Sequence, residues 1–219
     1  MSYVEIDVYR HGISGANANN GLVVGRLPDE GLTDLGQDQA VQLGEFQVAN
    51  GLRPDIAFTS PLKRTQETGM IALNTFNGQA PILRVSHQLT EHNRGDFEGK
   101  TISEIFTPTF TEQLDMIGSD YRYQGGESTN DVANRMALWL RTAALTALRA
   151  DMKRVSGYSH HMAIVALITR LHGVTDPVEV HQLSRSILSS GIVDFVSRTL
   201  IVFENNRFMV EHIGEPTIS

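Results

Sequence analysis

Apolar and polar positions alternate at the start of the chain. Val4, Ile6 and Val8 fall on one face of residues 3–9, and that period of two predicts a β-strand. Arg10, His11 and Gly12 follow at once, and residues 12–31 are then rich in Gly and Asn with no periodicity. Loops of that length inside compact domains tend to be functional or disordered. From Thr33, an N-cap type, the period lengthens to that of a helix running to about residue 50. Leu35, Ala40, Leu43 and Phe46 form its inward stripe and Gly51 its stop. "DIAFTS" (55–60) reads as a second short strand leading into a helix from about Pro61, and "ILRVS" from Ile82 as a third strand. Residues 100–125 look irregular and aromatic, with Phe106, Phe110, Tyr121 and Tyr123, and end in Gly125-Gly126. Ser128 or Thr129 then caps a long helix to about residue 150, with Val132, Met136, Leu140, Ala144 and Leu148 at helical spacing. "RVSGYS" (154–159) is a fourth strand, followed by a helix over 163–171. Strand-like runs follow around Ile192, Thr199 and Arg207, the last two joined at the hairpin turn "ENNR".

Early strands alternating with helices predict a mostly parallel sheet covered on both faces, and the closing hairpin adds an antiparallel edge. The expected fold is a three-layer α/β/α sandwich on a mixed sheet, formed by one domain over residues 1–219. Composition narrows the function classes. With 25 acidic against 18 basic residues, the net charge of −7 argues against a general nucleic-acid or anionic-membrane surface, while leaving room for a local basic pocket. The absence of cysteine removes disulfides, thiolate catalysis and Cys-type zinc sites together. No window is apolar enough to span a bilayer and the N-terminus has no basic n-region, so the expected location is cytoplasmic. A homo-oligomer is compatible with the sequence.

Three strand ends share one character. Arg10-His11 closes the first, Ser60 to Arg64 follows the second, and His160-His161 closes the fourth. In a parallel sheet these ends lie on one edge, two of them leading into helix N-termini whose free N–H groups favour an anion. Guanidinium forks suit phosphate and imidazole can act as nucleophile or donor, so the implied ligand is a phosphoryl group. Taken singly, each residue has a plainer reading. Arg64 would be a solvated residue on a helix face near Glu67, and Glu91 a glutamate in a polar loop. His87, His92, His172, His181 and His212 read as surface or packing residues.

Six segments together resemble the histidine phosphatase superfamily, the phosphoglycerate mutase-like fold. They are "YRHGISGAN" (9–17), "LTDLGQDQA" (32–40), "TSPLKRTQET" (59–68), "LTEHNRGDFEG" (89–99), "GGES" (125–128) and "YSHH" (158–161), in the family's order and spacing. The resemblance implies that His11 attacks phosphorus and carries a phosphohistidine, and that Arg10, Arg64 and His160 bind the equatorial oxygens. It implies further that Asn17 helps hold the phosphate and that Glu91 protonates the leaving oxygen and later activates water. His161 stands where the family has Gly and would line the pocket; Ile13 stands at a frequent Glu outside the catalytic set. Glu127 is the rival acid, read as structural beside the cap of the long helix. Mutases of the family read approximately ERxYG with Gln before the next Gly, a set that grips a substrate carboxylate. Here His92, Arg94 and Glu98 occupy the arginine, tyrosine and glutamine places, and "GDFEG" resembles the phosphatase branch. The expected activity is a phosphomonoesterase acting on a small phosphorylated substrate without metal or cofactor. Mutase-type transfer, or a silent phosphate-binding relative, are the alternatives. Specificity is expected in residues 13–31 and in an insertion around 100–125 that covers the substrate.

Overall fold

A computed structural model describes residues 3–18 and 21–218, so Asn19 and Asn20 of the first long loop lie outside it. All six strands join one sheet in the order β3-β2-β4-β1-β5-β6. They are β1 (Tyr3–Arg10), β2 (Ile56–Thr59), β3 (Leu83–Val85), β4 (Arg154–Ser159), β5 (Arg198–Glu204) and β6 (Arg207–Glu215). The first four are parallel to one another; β5 is antiparallel to β1 and forms the closing hairpin with β6. Asn205 and Asn206 turn that hairpin with φ of 51° and 61°, the left-handed pair that a two-residue connection needs.

Helices cover both faces. Helix α2 (Asp34–Ala49) and α3 (Lys63–Asn74) lie on one, where Leu43, Ala72, Leu73 and Phe76 meet Tyr9, Ala57 and Tyr158. Helix α6 (Thr129–Arg149) and α7 (His161–Leu171) lie on the other, where Met136, Trp139, Leu140, Ile164 and Leu167 meet Val4, Ile6, Val8, Val155 and Ile201. The alternation read in β1 therefore marks the face under α6 and α7. On the opposite side of β1, Asp7 is fully buried between Arg154 (2.6 Å) and Arg198 (2.7 Å). That ion-paired carboxylate joins β4, β1 and β5, and its two guanidinium partners also pair with Glu5 and Glu215, so its buried charge sits within a network.

Several expectations change. Leu35 is 56 % exposed: the inward stripe of α2 consists of Gly36, Gln39, Ala40, Leu43, Gly44 and Gln47, with Phe46 only half-buried. Apolar side chains mark that face poorly because two of its positions are glycines that bring the helix close to its neighbours. Residues 100–125 are not irregular but carry α4 (Ile102–Ile105) and α5 (Pro108–Ile117), while α1 (Gly15–Ala18) sits within the first long loop. Helix α8 (Pro177–Ser189), capped by Asp176, was not anticipated, and the run around Ile192 is a loop rather than a strand. Among the described residues no helix is long and apolar enough to cross a membrane.

Candidate active site

The carboxyl ends of β1, β2 and β4 bring Arg10, His11, Ser60, Arg64 and His160 together, as their strand-end positions predict. His11 N–H donates to the Ser159 carbonyl at 3.1 Å, which locks the turn after β1 to the end of β4. The turn itself is held from α2 and α3. Thr33 caps α2 and takes up the Ile13 carbonyl through its N–H (2.9 Å) and hydroxyl (3.2 Å), and Gln39 Oε1 accepts from the Ile13 N–H at 2.9 Å. Gly36 makes this approach sterically feasible, since a Cβ there would stand 2.0 Å from the Ile13 oxygen. From α3, Thr68 Oγ1 accepts the Gly12 N–H at 3.1 Å. The segment "LTDLGQDQA" thus supports the Arg10-His11-Gly12 turn.

The ring of His11 is oriented by its own neighbour. Nδ1 lies 2.6 Å from the Gly12 carbonyl, which can only accept, so Nδ1 carries the proton and Nε2 presents a lone pair. Arg64 meets that lone pair: its Nε is 3.2 Å from His11 Nε2 and 3.3 Å from His160 Nδ1. The two rings stand edge-on with centroids 5.1 Å apart, and His160 Nε2 donates to Ser60 Oγ at 2.8 Å. Burial, then the Arg64 charge, pushes both imidazoles well below the usual histidine range, so both are neutral. Arg64 sits in the first turn of α3 at 1 % exposure, its Nη2 donating to the Gly25 carbonyl at 2.8 Å. Arg10 donates to the Val193 carbonyl at 2.9 Å and lies 3.7 Å over the Phe195 ring. Burial, opposed by Glu91 and Asp194, lowers its pKa to about 10, so it stays cationic at neutral pH.

Buried Arg10 Nε, Arg64 Nη1 and His161 Nε2 have no hydrogen-bond partner among the described residues. Unanswered donors of two buried cations beside an unprotonated imidazole nitrogen suit an anion. His161 opens α7 next to His160, and burial followed by Arg10 lowers it to about 4. Glu91 completes the group from the other side. Its Oε1 accepts from His92 N (2.7 Å) and Ala163 N (3.0 Å) and its Oε2 from Met162 N (3.2 Å), standing in for the side-chain cap that His160 does not give α7. Glu127 is engaged elsewhere, paired with Arg26 (2.9 Å) and Arg135 (3.0 Å), and both arginines grip the Glu91 carbonyl. Burial would raise the Glu127 carboxyl, yet Arg135 and its companions hold it below the usual range. Asn17 is not joined to the cluster by any described hydrogen bond. It accepts from Ser14 at 2.7 Å and lines a neighbouring cleft with Val23, Val24 and Arg94.

Residues 6–212 match the model of the histidine phosphatase superfamily, branch 1. The chain belongs to that superfamily. A 2,3-bisphosphoglycerate-dependent phosphoglycerate mutase of Brucella anthropi is 32 % identical over 187 residues, 84 % of this chain and 86 % of the relative. The mutase of Chelativorans sp. is 31 % identical over 162 residues, 73 % and 78 % of the two chains. Among solved structures, the mycobacterial glucosyl-3-phosphoglycerate phosphatase superposes with a TM-score of 0.77 at 22 % identity, covering 98 % of this chain and 100 % of that one. The phosphoserine phosphatase of Entamoeba histolytica, solved with 3-phosphoglyceric acid, gives 0.76 at 20 % identity, covering 97 % and 98 %. These structures share the histidine phosphatase fold. The superfamily's members are phosphoryl-transfer enzymes, and this chain falls in that class.

Ser60, Val193 and Phe195 complete the surroundings and were not predicted as site residues. Ser60 carries a signal, its strand end next to Arg64; Val193 and Phe195 carry none, because they meet Arg10 across more than 180 positions of sequence. Val196, beside them, takes φ of 50°, a costly backbone for a β-branched residue, in the loop that lays Phe195 on Arg10.

The neutral imidazoles make stability depend on pH. His11, His92 and His160 are held down first by burial, whereas in the unfolded chain each takes a proton near the ordinary value of 6.5. Below that pH the unfolded state binds more protons, so stability rises with pH through the window and is lost as pH falls. Each imidazole kept neutral contributes a loss of about 1.4 kcal/mol at one pH unit below its unfolded value. Urea midpoints should therefore fall clearly between pH 7.5 and 5.5; a flat profile contradicts the neutral burial of these rings.

Proposed function

We propose that the chain is a phosphatase that hydrolyses small phosphomonoesters through a phosphohistidine at His11. The observation that carries this reading is the unprotonated Nε2 of His11, fixed by the Gly12 carbonyl at Nδ1 and met by a buried guanidinium. A phosphoryl group entering there draws Arg64 Nε off the two rings onto its oxygens, and the idle donors of Arg10 and Arg64 supply the rest of the cradle. His11 Nε2 then forms the bond to phosphorus as the ester bond breaks. His160 turns Nδ1 toward the same point, and a dianion within a few ångströms raises its affinity for a proton, so it donates there when substrate is bound. Its Nε2 stays on Ser60 in both states.

Glu91 gives a proton to the departing oxygen and takes one from the water that attacks the phosphohistidine, which returns His11 and releases phosphate. Three backbone donors hold its carboxylate in place for both steps. Glu127 is occupied as the anchor of Arg26 and Arg135, which fix the Glu91 main chain.

Hydrolysis is favoured over mutase-type transfer by what surrounds Glu91. A phosphoglycerate mutase must also hold a substrate carboxylate. Here the His92 ring is buried against the Glu127 carbonyl at 3.0 Å. The Glu98 carboxylate, itself an anion, is spent on the N–H groups of Arg26 (2.9 Å), Leu27 (2.8 Å) and Arg94 (2.9 Å). The curated relatives at 31 % and 32 % identity are mutases, which makes transfer the second reading.

Phosphate release from p-nitrophenyl phosphate and from alkyl phosphomonoesters tests the first reading. Turnover should fall by on the order of a thousandfold in His11→Ala, the nucleophile having no substitute. Isomerisation of 3-phosphoglycerate, primed with its bisphosphate, should lag behind phosphate release; an isomerisation faster than hydrolysis replaces the phosphatase reading with the mutase one.

The two carboxylates separate by leaving group. In single-turnover measurements Glu91→Gln should slow phosphoryl transfer from alkyl phosphates by on the order of a hundredfold, and from aryl phosphates much less. Glu127→Gln should show no such dependence and lower the melting temperature instead. Equal losses for both ester types in Glu91→Gln would take the acid role from it, and leaving-group sensitivity in Glu127→Gln would transfer that role.

A further inference from the structure

A cavity of about 400 Å³ is reached from Glu91 through Met162 and Arg94, which stand in its wall. Its walls are mostly apolar, built by Phe106, Leu114, Tyr121, Tyr123, Met162 and Leu188 from the 100–125 segment, α7 and α8. Two lining residues fix where it stands relative to the chemistry. Met162, in the first turn of α7, donates its N–H to Glu91 Oε2 at 3.2 Å. Arg94, three residues beyond Glu91, lines both this cavity and the neighbouring cleft that holds Asn17. The cavity therefore borders the side of the site where Glu91 would meet the leaving oxygen.

Its walls are stiff. Phe97, Phe110, Tyr121 and Tyr123 form a closed circuit of edge-to-face contacts, with successive ring centroids 5.5, 5.3, 5.3 and 5.4 Å apart. Phe106 joins that circuit through Phe110 at 5.7 Å. Arg94 lies 4.8 Å over the Tyr123 ring, donates to its hydroxyl, and has no carboxylate partner among the described ion pairs. Asp115 answers the two basic groups of α8 that also line the cavity, His181 at 3.1 Å and Arg185 at 2.6 Å. The interior is thus a preformed aromatic chamber with little net charge beyond Arg94. A small polyol would leave these faces wet, whereas a flat apolar ring would cover them.

We propose that this cavity receives the alcohol half of the substrate, and that this half carries an apolar ring system. The proposal rests on the phosphatase reading for the phosphoryl end and deepens it by naming the class of ester. Ring-bearing alcohol phosphates are favoured because their ring leaves water as the ester oxygen comes to Glu91.

The test uses two alkyl esters of similar intrinsic reactivity, 2-naphthylmethyl phosphate and glycerol 3-phosphate, and the unhydrolysable 2-naphthylmethylphosphonate as a binding probe. Thr111→Trp and Leu188→Trp each fill the cavity from a half-buried wall position, one on α5 and one on α8. In each variant that keeps its melting temperature, the ratio of kcat/KM for the naphthylmethyl ester to that for glycerol 3-phosphate should drop by at least about tenfold. The phosphonate Kd should rise by a similar factor, the cost of leaving one ring outside. An unchanged ratio together with unchanged phosphonate binding in both variants overturns the proposal. Phosphonate binding weakened by the tryptophans in a protein that hydrolyses neither ester upholds the ring site and overturns the phosphatase reading instead.

Discussion

One guanidinium group holds this site together. Arg64 is almost wholly buried, and a buried cation is costly without acceptors. It finds two in imidazole nitrogens, His11 Nε2 and His160 Nδ1, and a third in the Gly25 carbonyl. A protonated ring could not accept, so the presence of Arg64 between them keeps both rings neutral, and burial acts in the same direction. The same bonds draw the ends of β1 and β4, the first turn of α3 and the loop at Gly25 to a common point. In the proposed reaction the cation that holds the lone pair of His11 at rest also meets an incoming phosphoryl oxygen.

A second coupling runs through Glu91. Helix α7 begins at His161 with no side-chain cap from His160, and its first N–H groups turn instead to the Glu91 carboxylate. A helix N-terminus favours a negative charge there, which holds the carboxylate firmly in place. Glu127 contributes from behind by fixing Arg26 and Arg135 on the Glu91 carbonyl, so one carboxylate does the proton transfer in this account and another holds the frame.

Much of this was legible in the sequence because the relevant residues sit where local rules are strong. The two-residue alternation of β1, the "RVSGYS" strand and the Asn-Asn hairpin are local patterns, and they appear as read. Arg10, His11, Arg64 and His160 converge because parallel strands deliver their ends to one edge. The misreadings share a physical cause. Leu35 points to solvent because the inward face of α2 is built on Gly36, Gln39, Gly44 and Gln47, residues chosen for close approach and hydrogen bonding rather than apolarity. The short helices α4 and α5 hide in an aromatic segment whose side chains pack on one another instead of on the main core. Phe195 is invisible from sequence, since a distant loop with a strained Val196 lays it on Arg10.

The proposed reaction passes phosphorus through His11 Nε2. Glu91→Gln offers the clearest view of that step, because an aryl phosphate should still load the histidine while the water that empties it lacks its base. Rapid quenching of this variant after mixing with p-nitrophenyl phosphate, followed by mass spectrometry under alkaline conditions, should find an acid-labile phosphoryl group on the peptide carrying His11. Its amount should approach one per chain and match the initial burst of nitrophenol. Nitrophenol released with no phosphorylated protein, or a phosphoryl group on any other residue, would contradict the account.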